Sequence, residues 1–302
     1  MASAKDIVGK ALDKYGVPEW IRPYIFKHAM AHPVSAVKFA LSFVDTKRKK
    51  GEVTKEYVRL PNGLRIRMAY ILRVLNMFYH GEERMARMYG LWSERAADPN
   101  HAYSEHFYNA AAADYRHARA IKNLIEGLGY RIEDAPKELM DVFDYVESMD
   151  SWNDRIIAAA IVLRGAYANA FGQMFYKVFY PAAQEFMRSF GKAFQGSDAS
   201  WEYEEAMHII QGGTVPEDHV LELTRNILFK VLYSISANMQ LATRSGIEPE
   251  IELLSEIAIA YPFHMLRELG INVDVNKEVG SVKRSIATFK RGGVRRKPEK
   301  RR

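Results

Sequence analysis

Three ionisable residues stand on helical stripes where apolar side chains are expected. Glu82 falls in the series Ile71, Leu75, Phe78, Glu82, Met85, Tyr89, Trp92. Asp114 and His117 fall in Phe107, Ala110, Asp114, His117, Ile121, Leu124. Steps of three and four put each series on one face of a helix. Burying an unpaired carboxylate costs several kcal/mol, so these groups need partners, and a divalent metal ion is one that fits. Asp114-x-x-His117 sets a carboxylate and an imidazole one turn apart, within reach of a single ion, and Glu205-x-x-His208 repeats the spacing. Each has a plainer reading. Glu82 could be satisfied by Arg or Tyr, Asp114 with His117 could be an internal hydrogen-bonded pair, and Glu205 with His208 could lie on a solvated face near Glu202 and Glu204.

Carboxylate and imidazole donors suit iron or manganese. The chain has no cysteine, which removes disulfides, thiolate metal sites, iron–sulfur clusters and cysteine nucleophiles together. It also lacks a phosphate-binding Gly-x-x-x-x-Gly-Lys loop, a dinucleotide fingerprint and a Gly-x-Ser-x-Gly elbow. Tyr79, Tyr108, Tyr115 and Tyr167 are candidate neighbours of a metal, with core packing as the alternative. Asp154, Arg164 and Asn169 are polar residues on an otherwise apolar element, suited to a pocket or to hydrogen bonds between helices.

The elements that must position these residues read as helices. One runs over about 66–97 and stops at Asp98-Pro99-Asn100; a second runs over about 101–126 and closes at Gly127 and Gly129. A crossover with a short helix near 136–148 follows. Next come a long helix over about 151–194, kinked at Pro181, a segment over 200–211 stopped by Gly212-Gly213, and helices over about 217–244 and 249–269. Upstream, short helices are expected over 5–15 and 19–43, and Pro61-Asn62-Gly63 marks a turn between two short alternating segments, as in a small hairpin.

This pattern resembles the ferritin-like di-iron or di-manganese carboxylate superfamily, over about residues 66–212. In that superfamily two helices each give a Glu and two give a Glu-x-x-His. The resemblance implies an all-α, ferritin-like four-helix bundle with additional N- and C-terminal helices. It implies two iron or manganese ions held by Glu82, Asp114, His117, Glu205 and His208, with Glu185 or Gln173 from the third helix. At 1.5 Å per residue, the distances of Asp114, His117, Glu185, Glu205 and His208 from their helix ends agree to about one turn. The implied activity is a dioxygen-activating oxidase or oxygenase, since 302 residues exceed a storage-cage chain. With no cysteine to ligate an electron-transfer iron, the reductant is expected to be an external electron donor.

Charge divides the chain in three. Residues 1–65 carry +7, residues 66–280 carry −10 and residues 281–302 carry +9, out of a net +6. The expected organisation is a basic N-terminal helical arm with the hairpin (1–65), a helical bundle (66–270) and a basic, flexible tail (271–302). Lys290, Arg291, Arg295, Arg296, Lys297, Lys300, Arg301 and Arg302 could each meet a phosphate, so the competing reading is a metal-free helical scaffold, or a protein binding RNA, DNA or an acidic partner through its basic ends. Neither a secretory signal nor an 18-residue apolar run is found, and the expectation is a cytoplasmic, non-membrane protein forming a homo-oligomer.

Overall fold

Strand gives way to helix without a loop at Arg67–Met68, and that junction sets the direction of the first long helix. The computed structural model describes residues 4–14, 19–32, 52–59, 65–96, 101–172, 199–238 and 248–293. Strands β1 (Glu52–Val53), β2 (Tyr57–Arg59) and β3 (Arg65–Arg67) form an antiparallel meander, with Val58 opposite Ile66. Those two are its buried pair. β2 and β3 pair as a hairpin about Pro61-Asn62-Gly63 requires; the turn itself lies outside the described residues. Helices α1 (Ala4–Lys14) and α2 (Arg22–Ala31) meet through Val8, Leu12 and Ala29, apart from the main core.

Helix α3 (Met68–Arg95) has 28 residues and is about 42 Å long. Helix α4 (His101–Gly127) turns back along it, and the Ser104 hydroxyl donates to the Ser93 carbonyl where the two ends meet. The whole α3 stripe from Ile71 to Trp92 is buried, Glu82 included. Buried Asn76 and His80 fix the crossover that follows. Asn76 Oδ1 accepts from the Glu133 N–H at 2.9 Å, and His80 Nε2 lies 2.8 Å from the Glu133 carbonyl. Helix α5 (Lys137–Glu147) then packs on α3, and Arg84 donates to Glu147 at 2.7 Å.

Helix α6 (Trp152–Ile157) starts at the Ser151 cap, whose hydroxyl accepts from the Asp154 N–H. It passes directly into a π-helix, Ala158–Gly172, so the described part of the single helix expected over 151–194 is α-helical over 152–157 and π-helical beyond. Its continuation past 172 and Pro181 lies outside the described residues. Every residue from Ile156 to Leu163 is buried. The π-helix packs chiefly on α9 (Glu248–Glu268), with α7 (Ala199–Gln211) and α8 (Glu217–Asn238) alongside. A Cβ on Gly165 would stand 3.2 Å from two Tyr261 ring carbons and 3.3 Å from Met265 Sδ, so the missing side chain is what lets the helices close.

Helix α7 ends one turn after His208 because Gly213, at φ 64°, takes the left-handed conformation that closes a helix. Helix α10 (Val275–Gly293) occupies most of the segment expected to be a flexible tail. Val275, Val279 and Val282 are buried along one face, with Ile286 partly buried, and Asp274 caps its start by accepting from the Lys277 N–H at 3.1 Å. The basic residues of this segment project from an amphipathic helix at least as far as 286. The described residues are all-α apart from the small meander. Among the described residues no helix is long and apolar enough to cross a membrane.

Candidate metal centre

Four helices each send an ionisable side chain to one buried point. Glu82 comes from the middle of α3, Asp114 and His117 from the middle of α4, Arg164 from the π-helix and Glu202 from the first turn of α7. All five are buried, Asp114 completely. His117 Nδ1 lies 3.1 Å from Glu82 Oε2 and 3.7 Å from Asp114 Oδ1. One donor atom from each of Glu82, Asp114 and His117 can be chosen so that all lie within 4.8 Å of one another. On the other side of Asp114, Arg164 Nη2 donates to Oδ2 at 3.1 Å and to Oδ1 at 3.3 Å. Arg164 Nε pairs with Glu202, and the guanidinium carbon sits 5.3 Å from the centroid of the Tyr89 ring. The Tyr89 hydroxyl is buried with no hydrogen-bond partner among the described residues.

The electrostatics follow from burial. Burial pushes the Glu82 carboxyl up to about 7, while Arg164 and a hydrogen bond with Asp114 pull it down. Burial also raises the Asp114 carboxyl, against the pull of Arg164. For Arg164 itself burial acts to lower the pKa, but Tyr89, Asp114, Glu202 and Glu82 outweigh it, and the guanidinium stays a cation. Three carboxylates against one guanidinium leave a formal charge of −2 when His117 is neutral. A single divalent ion would cancel it. Without an ion, a proton held between Glu82 and Asp114 reduces the charge.

Among the described residues, the other sequence candidates are not part of this cluster. Glu205 is half-buried and accepts a hydrogen bond from the Tyr103 hydroxyl, and His208 is exposed. Glu185 and Gln173 fall outside the described residues. Tyr79 donates to Glu83 at 3.0 Å, Tyr108 and Tyr115 are exposed, and the Tyr167 side chain is not among those described. Lys290 and Arg291 belong to the last turns of α10, while Arg295, Arg296, Lys297, Lys300, Arg301 and Arg302 are outside the described residues. Asp154 pairs with His219 at 3.1 Å, away from the centre.

Two members of the cluster were not among the expected ligands: Arg164, read as lining a pocket or joining helices, and Glu202, read as part of a solvated face. Arg164 carried a signal, since a lone cation after eight apolar residues has to find an anion inside. Glu202 begins the inward stripe Glu202, Ala206, Ile209, but Glu204 and Glu205 beside it gave the segment the look of a solvated face. No protein-family model, curated protein or solved structure matches this chain.

Proposed function

We propose that the protein is a metal-dependent oxidoreductase built on a ferritin-like arrangement of α3, α4, the π-helix and α7, with Glu82, Asp114 and His117 as ligands of an iron or manganese ion. The observation that carries this reading is the buried, net-negative triad, whose donors lie within reach of one ion. Two carboxylates and an imidazole are the donors such ions take, and the ion, when bound, supplies redox exchange and the capacity to bind dioxygen. The chain's own residues do the rest. Glu82 and Asp114 give up their proton to ligation. Arg164 holds Asp114 in place and favours its ionised form against burial, and the Tyr89–Trp92–Phe107 cluster of stacked and edge-on rings shields the centre from water. Electrons come from an external donor, since no cysteine-ligated relay can be built here.

The test is metal analysis by plasma mass spectrometry on untagged protein, beside Asp114→Ala/His117→Ala, followed by anaerobic loading with ferrous iron and exposure to oxygen. Stoichiometric metal, lost in the double variant, together with oxygen uptake in proportion to bound iron supports the reading. Metal that persists in the folded double variant would place the site elsewhere. Bound iron that takes up no oxygen would leave a metal protein and remove the oxidase.

A further inference from the structure

We infer that Arg164 is the built-in second cation of this centre: its guanidinium, held between Asp114 and Glu202, fills the position that a second metal ion would need, so the site takes one divalent ion and not two. The inference rests on the metal reading above and departs from the two-ion centre that the superfamily resemblance implies.

Three observations lead there. The first is position. A second ion would need carboxylate donors beside the Glu82, Asp114 and His117 group, and Asp114 and Glu202 are the ones at hand; the Arg164 fork already joins them, with Nη2 on Asp114 at 3.1 Å and Nε on Glu202. The second is charge. A formal −2 is balanced by one divalent ion, whereas two would leave a surplus of +2 in a site closed to solvent, a costly arrangement. A guanidinium cannot discharge itself to make room.

The third is confinement. The Tyr89 ring lies under the guanidinium, and next in the chain Gly165 is pressed to van der Waals limits against Tyr261 and Met265. The π-helix therefore cannot draw Arg164 back without repacking α9. Among the described residues, the third wall of the centre thus offers a fixed positive charge where the superfamily offers a carboxylate.

The experiment loads the full chain with Mn(II) and reads both the number of ions per chain and the paramagnetic resonance line shape. Wild type and Arg164→Lys are expected to bind one ion with the resolved six-line signal of an isolated Mn(II). Arg164→Glu is expected to bind two, with the broadened signal of coupled ions about 3.5–4 Å apart. Arg164→Gln, which keeps the volume and drops the charge, is expected to bind a second ion at Mn(II) excess, and it serves if Arg164→Glu does not fold. Two coupled ions in the wild type overturn the inference without any variant, as does a single ion in folded Arg164→Glu or Arg164→Gln. No Mn(II) in the wild type but one ion in Arg164→Gln also overturns it, because Arg164 would then be excluding the first ion. No Mn(II) in any of the four proteins instead sinks the metal reading on which it stands.

Discussion

Where α10 meets α9 and α8, and α9 meets α2, each buried carboxylate has cations of its own. Glu256 receives Lys27 at 3.1 Å and Lys283, and Glu278 is gripped by Arg225 at 2.6 and 2.7 Å. At the centre, three carboxylates share one guanidinium. Glu256 and Glu82 titrate in opposite senses. Burial alone would raise the Glu256 carboxyl, but Lys283 and Lys27 outweigh it and hold it below the usual range. Burial wins at Glu82, which stands at about 7. The seam is electrically complete as it folds, whereas the centre retains a charge that calls for a proton or an ion. The contrast separates charge that joins helices from charge arranged for a ligand.

The sharpest way to break the contrast is to remove the shared cation. Arg164→Met leaves Asp114 and Glu202 buried without compensation and is expected to cost about 3–5 kcal/mol in denaturant unfolding of metal-free protein. Added Mn(II) should return part of that loss. An unchanged unfolding midpoint would mean that the centre is as complete as the seam.

Second in size is the pH dependence. Glu82 binds its proton more tightly folded than unfolded, so between about pH 4.5 and 7 the native state carries the extra proton and stability falls as pH rises. The Glu82 contribution is on the order of 3 kcal/mol across that window, and Glu82→Gln should flatten the slope. Mn(II) affinity should rise about tenfold per pH unit below 7, because ligation displaces the proton. At the seam the sign reverses. The Glu256 contribution is present above the ordinary carboxylate pKa and is lost as pH falls below it, and Glu256→Gln should soften acid unfolding.

Gly165→Ala comes next, with an expected loss of about 1–3 kcal/mol from crowding Tyr261 and Met265. Its use is to ask whether the centre depends on that close approach: Mn(II) affinity should fall along with thermal stability. The smallest effect belongs to Lys283→Ala at the seam, about 1 kcal/mol or less, because the pair is partly solvated and Lys27 remains on Glu256.

What could be read in the residues, and what could not, divides along the same line. Periodicity marked α3 and α4 and the inward direction of Glu82, Asp114 and His117, because a lone helix face is a local property of the chain. The basic composition of 281–302 obscured the buried Val275, Val279 and Val282 stripe of α10, which four-and-three spacing would have revealed. Glu202 was misread because neighbouring acids outvoted a single inward position. The π-helix had no signature, since its widened winding leaves no trace in the apolar run Ile156–Leu163, which reads as an ordinary buried helix.

That winding has a consequence for length variation. Along 158–172 the angular phase of each side chain is cumulative, so the direction in which Arg164 points depends on how many residues precede it in the run. Deleting one of Ala158, Ala159 or Ala160 would swing Arg164 by roughly a quarter of a turn in helical winding and carry it off the centre. Exchanging one of them for another small residue would leave the phase untouched. In this stretch the count of residues is held more strictly than their identity.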